Sequence, residues 1–390
     1  MMDPPSPPRP SSPPTLLKMP KEILTLIIGD TTALAMYSFT WNNFENKPFF
    51  RQSLRKTSKS LRAFIDEKPI NLNLPPEAIY FVVSENQIVL TIMYTDEDRP
   101  KEHGIEQFQM LTTYKQTDEG CVYYNSADAD LSMGKLLRGE DSYEIAYNDF
   151  ESFLRGHAGV LEECSVEFQP IQSEMKRQKS ADLQQKLIAY LQSRSELFQV
   201  EELSITAPTG TEILSLLRCF CPLAVERLIF SDGRISSMDH LLFDARGAHR
   251  QLDISNLALT EHWKKAFSIE IYRCLVQSPI YFFATPMSTF MLDTLKLEHL
   301  CMMRDSFKLF PFERQCSMKF NNFENEETAS VEFGRYSNDG RTTCWFFLFP
   351  GTNNVMRFEK RFTGQREIKI ENVVIPPSDL ARIPFNILQV

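Results

Sequence analysis

The sequence predicts an α+β chain: a short N-terminal helical unit, then a strand–helix repeat domain, then an antiparallel β meander. Three observations carry this expectation. Residues 21–28 and 51–65 place apolar side chains at helical spacing. From residue 180 to 271, short runs of alternating apolar residues are separated by stretches that open on a capping Ser or Thr. Beyond residue 310, aromatic and β-branched runs are divided by turn residues.

Composition bounds what such a chain can do. Its 390 residues suggest two or three folded units at roughly 150 residues each. Apolar residues make up 43%, enough to build a sizeable core and to argue against global disorder. With 51 acidic against 42 basic groups, the net charge is -9. That argues against nucleic acid as a partner, which needs a basic surface to displace counterions. Glycine numbers only 14, well below average usage, which counts against glycine-dependent phosphate loops. No apolar run reaches the roughly 20 residues that span a bilayer, and Met1-Met2-Asp3-Pro4-Pro5 opens no hydrophobic signal segment. The expectation is an intracellular protein, cytoplasmic and/or nuclear, with no membrane partner. Eight cysteines scattered along the chain then read as buried thiols, not a disulfide framework.

Residues 1–15 form a proline-rich leader, expected to be disordered. The helical unit spans residues 16–67. Its first helix carries Ile23, Leu24, Ile27 and Ile28 on one face, with Pro20 near its start and Gly29 behind it. Its second carries Leu54, Ser58, Leu61 and Ile65; between them, residues 31–50 are rich in aromatics and show no clear period. Residues 70–144 read as a β-rich connection, with strands over 79–83 and 87–94 around the turn Ser84-Glu85-Asn86, and others near 110–114 and 121–124. A short helix over 148–154 and a strand over 164–168 follow.

The repeat domain is placed at residues 145–375, with a tail over 376–390. Ser180 caps a helix bearing Leu183, Leu187, Ile188 and Leu191, before a strand over 200–206 containing Leu203-x-Ile205. Thr211 caps the next helix, before a strand over 225–230 with Leu228-x-Phe230. A third helix over 238–245 precedes a strand over 251–255 with Leu252-x-Ile254. Thr260 caps a fourth, bearing Trp263 and Phe267, before Ile269-x-Ile271. Anchors at 203, 228, 252 and 269 give a leucine-rich-repeat-like spacing of 25, 24 and 17 residues. Such units bury both layers only by stacking into a curved parallel sheet lined by helices. Strand alternation then turns Glu202, Ser204, Thr206, Arg227, Ile229 and Ser231 outward, with Gln251, Asp253, Ser255, Ser268, Glu270 and Tyr272. These twelve are the candidate target-binding residues. After a helix over 297–309, strands near 313–320, 331–333, 344–349, 355–362 and 367–374 form the meander.

Catalytic patterns are absent from the sequence. There is no phosphate-loop, dinucleotide-binding or nucleophile-elbow motif. Cys219-Phe220-Cys221 and His299-Leu300-Cys301 are the closest approaches to a metal pair, and both lie in apolar helices where core thiols are expected. His262, beside Trp263, reads as a partly exposed helix residue and not as a general base. No cofactor or metal is expected.

Leu16-Leu17-Lys18-Met19-Pro20-Lys21-Glu22-Ile23-Leu24 resembles the opening of an F-box, and Leu54-Arg55-Lys56-Thr57-Ser58-Lys59-Ser60-Leu61-Arg62 resembles its second half, in the form of the nematode-type F-box family. Many members of that family carry a C-terminal FTH domain. Residues 145–375 look like one, through Val200-Glu201-Glu202-Leu203-Ser204-Ile205, Val225-Glu226-Arg227-Leu228, Leu259-Thr260-Glu261-His262-Trp263 and the helix from residue 297.

The resemblance implies a non-catalytic substrate-receptor subunit of an SCF-type cullin ubiquitin ligase. It implies that Leu17, Met19, Pro20, Ile23, Leu24, Ile27, Leu54, Ser58 and Leu61 dock on the Skp adaptor and, through it, on cullin. The FTH-like part would hold a protein target for degradation. One departure is an interruption of the F-box over about residues 31–50. As a surface loop it costs on the order of 1.3 kcal/mol in closure entropy. If it replaces the middle helix, adaptor docking is lost, and the chain is a ligase-independent interaction scaffold with a degenerate F-box.

Overall fold

The computed structural model describes residues 76–95, 107–125, 134–157, 159–231, 250–309, 314–328, 336–337, 343–348, 354–363, 365–374 and 386–387. Among them the strands join into one mixed sheet. It begins with an antiparallel ribbon, β1 (Ala78–Val83), β2 (Ile88–Thr95), β3 (Gln107–Thr117), β4 (Gly120–Asn125) and β5 (Lys135–Arg138), each paired with the next. Ser84 closes the first hairpin, its N–H donating to the Gln87 carbonyl at 3.0 Å and its hydroxyl at 2.7 Å. Gly120, at φ +140°, closes the third; a Cβ there would lie 2.2 Å from the Leu137 carbonyl oxygen.

On its other side β1 pairs in parallel with β6 (Leu161–Phe168). The parallel run continues through β7 (Val200–Thr206) and β8 (Arg227–Ser231). After β9 (Arg250–Gln251) it passes to β10 (Ser268–Leu275), β11 (Met287–Leu295) and β12 (Gln315–Phe323). β10 changes neighbour along its length, pairing with β8 over Ser268–Tyr272 and with β9 over Cys274–Leu275. Arg273, at φ 63°, marks the irregularity between the two halves. Of the remaining strands, β13 (Tyr336–Ser337) and β14 (Thr343–Leu348) are antiparallel to each other. β14 pairs with β15 (Asn354–Thr363), which pairs with β16 (Gln365–Val374), which returns to β12. β17 (Asn386–Ile387) lies parallel to β14.

One face of this sheet is covered. Ile79 and Phe81 on β1, Leu203 and Ile205 on β7, Leu228 and Phe230 on β8, and Met318 and Phe320 on β12 are buried together. Helix α1 (Ser142–Gly156) lays Phe150 on Phe81, rings stacked with centroids 4.5 Å apart, and Tyr114 on β3 donates to the buried Asp149 at 2.6 Å. Helix α2 (Glu174–Ser193) buries Leu183, Leu187 and Leu191. Helix α3 (Gly210–Leu217) is capped by Thr209, whose hydroxyl accepts from the Glu212 N–H at 3.2 Å and donates to the Glu212 carboxylate at 2.7 Å. Helix α4 (Glu261–Lys265) is capped by Thr260 and buries Trp263, whose indole N–H reaches the Tyr281 carbonyl at 2.9 Å. Helix α5 (Leu297–Leu309) buries Leu300, Met303 and Phe307.

This architecture corrects the expected fold class. Strands make up 45% and helices 29% of the interpretable region, and the parallel run and the antiparallel C-terminal strands belong to one large mixed sheet instead of separate units. The physical reason is β1, which bonds to β2 on one side and to β6, some eighty residues onward, on the other. Non-local pairing of that kind leaves no trace in a local apolar pattern. The helical unit expected over residues 16–67 and the helix over 238–245 lie outside the described residues. The strand expected over 251–255 stops at Gln251, because the Asp253 carboxylate accepts from the Ser255 N–H at 3.0 Å and holds a turn. Capping also differs: Thr209, not Thr211, caps α3, and α2 starts behind Ser173, with Ser180 buried inside it.

Candidate functional site

The other face of the sheet carries no helix among the described residues. Its side chains follow from alternation. With Ile79, Cys164, Leu203, Leu228 and Ile269 turned into the core, the residues between them face out. Register sets them in rows. One row crosses Ala78, Glu163, Glu202, Arg227, Ser268 and Met287; the next crosses Tyr80, Ser165, Ser204, Ile229, Glu270 and Thr289.

Where the chain enters the parallel strands, these rows line a trough of 640 Å³. Backbone bonds hold its rim level: Glu226 N–H donates to Glu201 at 2.8 Å, Phe267 N–H to Glu226 at 2.8 Å, and Met287 N–H to Phe267 at 2.9 Å. β6 contributes Glu162 and Glu163, β7 Glu201 and Glu202, and β10 Glu270, with Glu226 and Glu77 in the adjoining entry segments. Among the lining residues, seven carboxylates face a single guanidinium, that of Arg227. Met93, Met287 and Phe267 add apolar surface, and Phe267 is 55% exposed.

Arg227 organises the centre. Its Nε donates to Glu270 at 2.7 Å and its Nη1 to Glu202 at 2.8 Å. Tyr80 donates to Glu163 at 2.6 Å, and Tyr272 donates to Glu270. Burial, reinforced by these carboxylates, pushes both phenols well above their ordinary range, so they remain donors. Farther along the face the charges balance. Lys319, Arg357, Arg361 and Lys369 alternate with Glu359, Glu367 and Glu371, as in Lys369–Glu371 at 2.7 Å and Arg361–Glu359 at 2.6 Å.

Seven of the twelve candidate target-binding residues meet on this face as half-buried side chains: Glu202, Ser204, Arg227, Ile229, Ser231, Glu270 and Tyr272. Thr206 and Ser268 alternate onto the same face but are buried. The three from the β9 region are not brought to them. Gln251 and Asp253 line a separate hollow of 200 Å³ at the start of α3, and Ser255 bonds to Asp253. The nine adaptor-docking candidates, Leu17 to Leu61, lie outside the described residues.

Glu163, Glu226, Tyr80 and Phe267 were not among the candidates, although a signal existed. Glu162-Glu163-Cys164-Ser165-Val166 and Glu201-Glu202-Leu203-Ser204-Ile205 are near copies, each entering a parallel strand. His262 is a second correction. It is buried, its Nε2 lies 2.9 Å from the Phe220 carbonyl, and desolvation holds it below the usual imidazole range. Among the described residues, no group of three or more His, Cys, Asp or Glu side chains is arranged to hold a metal ion, and no helix is long and apolar enough to cross a membrane.

An FTH domain is detected over residues 181–333, from within α2 to beyond β12. It is a family linked to F-box proteins in general, and no F-box is found in this chain by the same comparison. No curated protein and no solved structure matches the chain.

Proposed function

We propose that this chain is a non-catalytic substrate-receptor subunit of an SCF-type cullin ubiquitin ligase, acting in the cytoplasm or nucleus. Residues 16–67 would dock on the Skp adaptor, and the open sheet face would hold a protein target. The observation that supports this reading is the FTH domain itself, whose span includes β7, β8, β10 and β11 of the polar face, which bears no helix among the described residues. A receptor of this kind works by proximity: it holds the target where the ligase can reach it. The chain needs no nucleophile, metal or cofactor of its own for that role.

Pull-down of the full chain with purified Skp adaptor tests the proposal. Wild type should be retained, and an Ile23→Asp, Leu24→Asp double variant should not. Loss of binding by neither, or retention of neither, would overturn it. A second reading, a ligase-independent scaffold on the same sheet, is favoured by the missing F-box match and the interruption near residues 31–50. It predicts an adaptor-negative wild type that still binds a protein through the open face.

A further inference from the structure

The trough gives the target a chemistry. We infer that it docks an extended, arginine- or lysine-bearing segment of the protein held by the open sheet face. This deepens the proposed function and rests on that face being the target-holding surface.

Three features lead to the same occupant. The first is charge. At the β12–β16 end of the face, carboxylates and cations alternate and pair. In the trough, seven glutamates surround one arginine, which is already shared between Glu202 and Glu270. A cationic partner completes that balance, and an anionic one is repelled.

The second is shape. The trough runs from Met93 on β2 to Met287 on β11, six strand spacings, or about 29 Å. That is the reach of roughly nine residues of extended chain. A trough of this length suits a strand-like segment lying across the ends of the strands.

The third is the rim. Phe267 exposes more than half its surface directly between Glu226 and Met287, where it is held by backbone bonds on both sides. An exposed aromatic among carboxylates offers a stacking face to a guanidinium or ammonium group that the carboxylates attract. Aromatic surface of this kind is over-represented where partners bind.

The test uses the full chain and fluorescein-labelled nonapeptides with four arginines, four glutamines or four glutamates at alternate positions, read by fluorescence anisotropy. The arginine peptide should bind at least about tenfold more tightly than the glutamine peptide. That preference should shrink as salt shortens the screening length. Glu162, Glu201 and Glu226 are exposed, so the combined Glu162→Gln, Glu201→Gln, Glu226→Gln variant should fold normally and lose most of the preference. Phe267→Ala should weaken the arginine peptide severalfold at low and high salt alike. A control Glu174→Gln, Glu298→Gln variant, altered on the helices, should bind as wild type.

Equal affinity for the arginine and glutamine peptides would overturn the inference. So would full retention of the preference in the triple variant, or equal loss in the helix control. The adaptor pull-down on the same preparation separates the two proposals. Adaptor binding without an arginine preference overturns the trough alone. An arginine preference without adaptor binding overturns the receptor reading alone.

Discussion

Glu270 on β10 accepts from the Nε of Arg227 on β8 at 2.7 Å, one strand spacing away, and the Arg227 Nη1 bridges on to Glu202 on β7. One guanidinium thus ties three parallel strands across their outer face. The arginine side chain is 42% exposed, so solvent screens much of this attraction. Arg227→Met should lower unfolding stability by about 1 kcal/mol at low salt and by less at high salt. A double-mutant cycle with Glu270→Gln, followed by urea unfolding, should return a coupling of about 0.5–1 kcal/mol. A coupling indistinguishable from zero would remove the pair from any account of sheet stability.

Beneath that face the core is held by aromatics. The rings of Phe282 and Phe290 stack with centroids 4.0 Å apart at 11°, and Trp263 leans on Phe282 at 5.2 Å. Phe290 is wholly buried, so truncation leaves a cavity that its neighbours fill only in part. Phe290→Ala should cost about 3–5 kcal/mol. The smaller change Phe290→Leu should cost markedly less in the same urea titration. Equal costs would mean that refilling the volume recovers nothing, and that the stacked ring itself carries the contribution.

These same residues show what the sequence could and could not reveal. Leu203-x-Ile205, Leu228-x-Phe230 and Ile269-x-Ile271 lie on parallel strands because alternation is a local property of one chain segment. The outward direction of Glu202, Arg227 and Glu270 followed from it. Pairing was not local. β1 joins β6 across the ribbon and α1, and the Tyr80–Glu163 bond depends on that contact alone. Glu163 and Phe267 therefore stayed hidden until the strand entries were set side by side. Local chemistry overrode pattern at Asp253, whose turn ends a run that reads as a strand.

Acid should loosen the fold through its buried imidazoles. His262, on the buried side of α4, sets its Nε2 against the Phe220 carbonyl, and burial lowers its pKa despite that partner. His157, ringed by Phe198 and the Arg194 guanidinium, is lowered chiefly by burial as well. A lowered folded value means the unfolded chain takes up the proton first. The stabilisation is complete above the unfolded value of about 6.5 and is lost as pH falls from there through the folded one. Stability measured from about pH 7 to about pH 5.5 should therefore decline. His262→Gln should be less stable at neutral pH but show a shallower decline. An unchanged slope would assign the acid sensitivity to carboxylates instead.

The cysteines give the last prediction, because their reactivity reports the sheet's integrity strand by strand. Cys164 on β6 and Cys316 on β12 point into the covered face, and burial pushes each thiol up to about 12. Cys219, behind α3, is pushed up to about 11 by the same cause. Only the thiolate attacks a disulfide reagent, so these three should be inert near neutral pH while the fold is intact. Cys221, Cys301 and Cys344 are half-buried and should react first. Labelling with an aromatic disulfide, followed by peptide mass analysis, should modify them under native conditions. Cys164 and Cys316, at the β6 and β12 limits of the parallel run beyond β1, should become reactive together as urea rises, since one hydrogen-bonded layer contains both. Exposure of Cys316 well before Cys164 would show that the C-terminal strands open as a separate unit, and would set a boundary inside the sheet between β6 and β12.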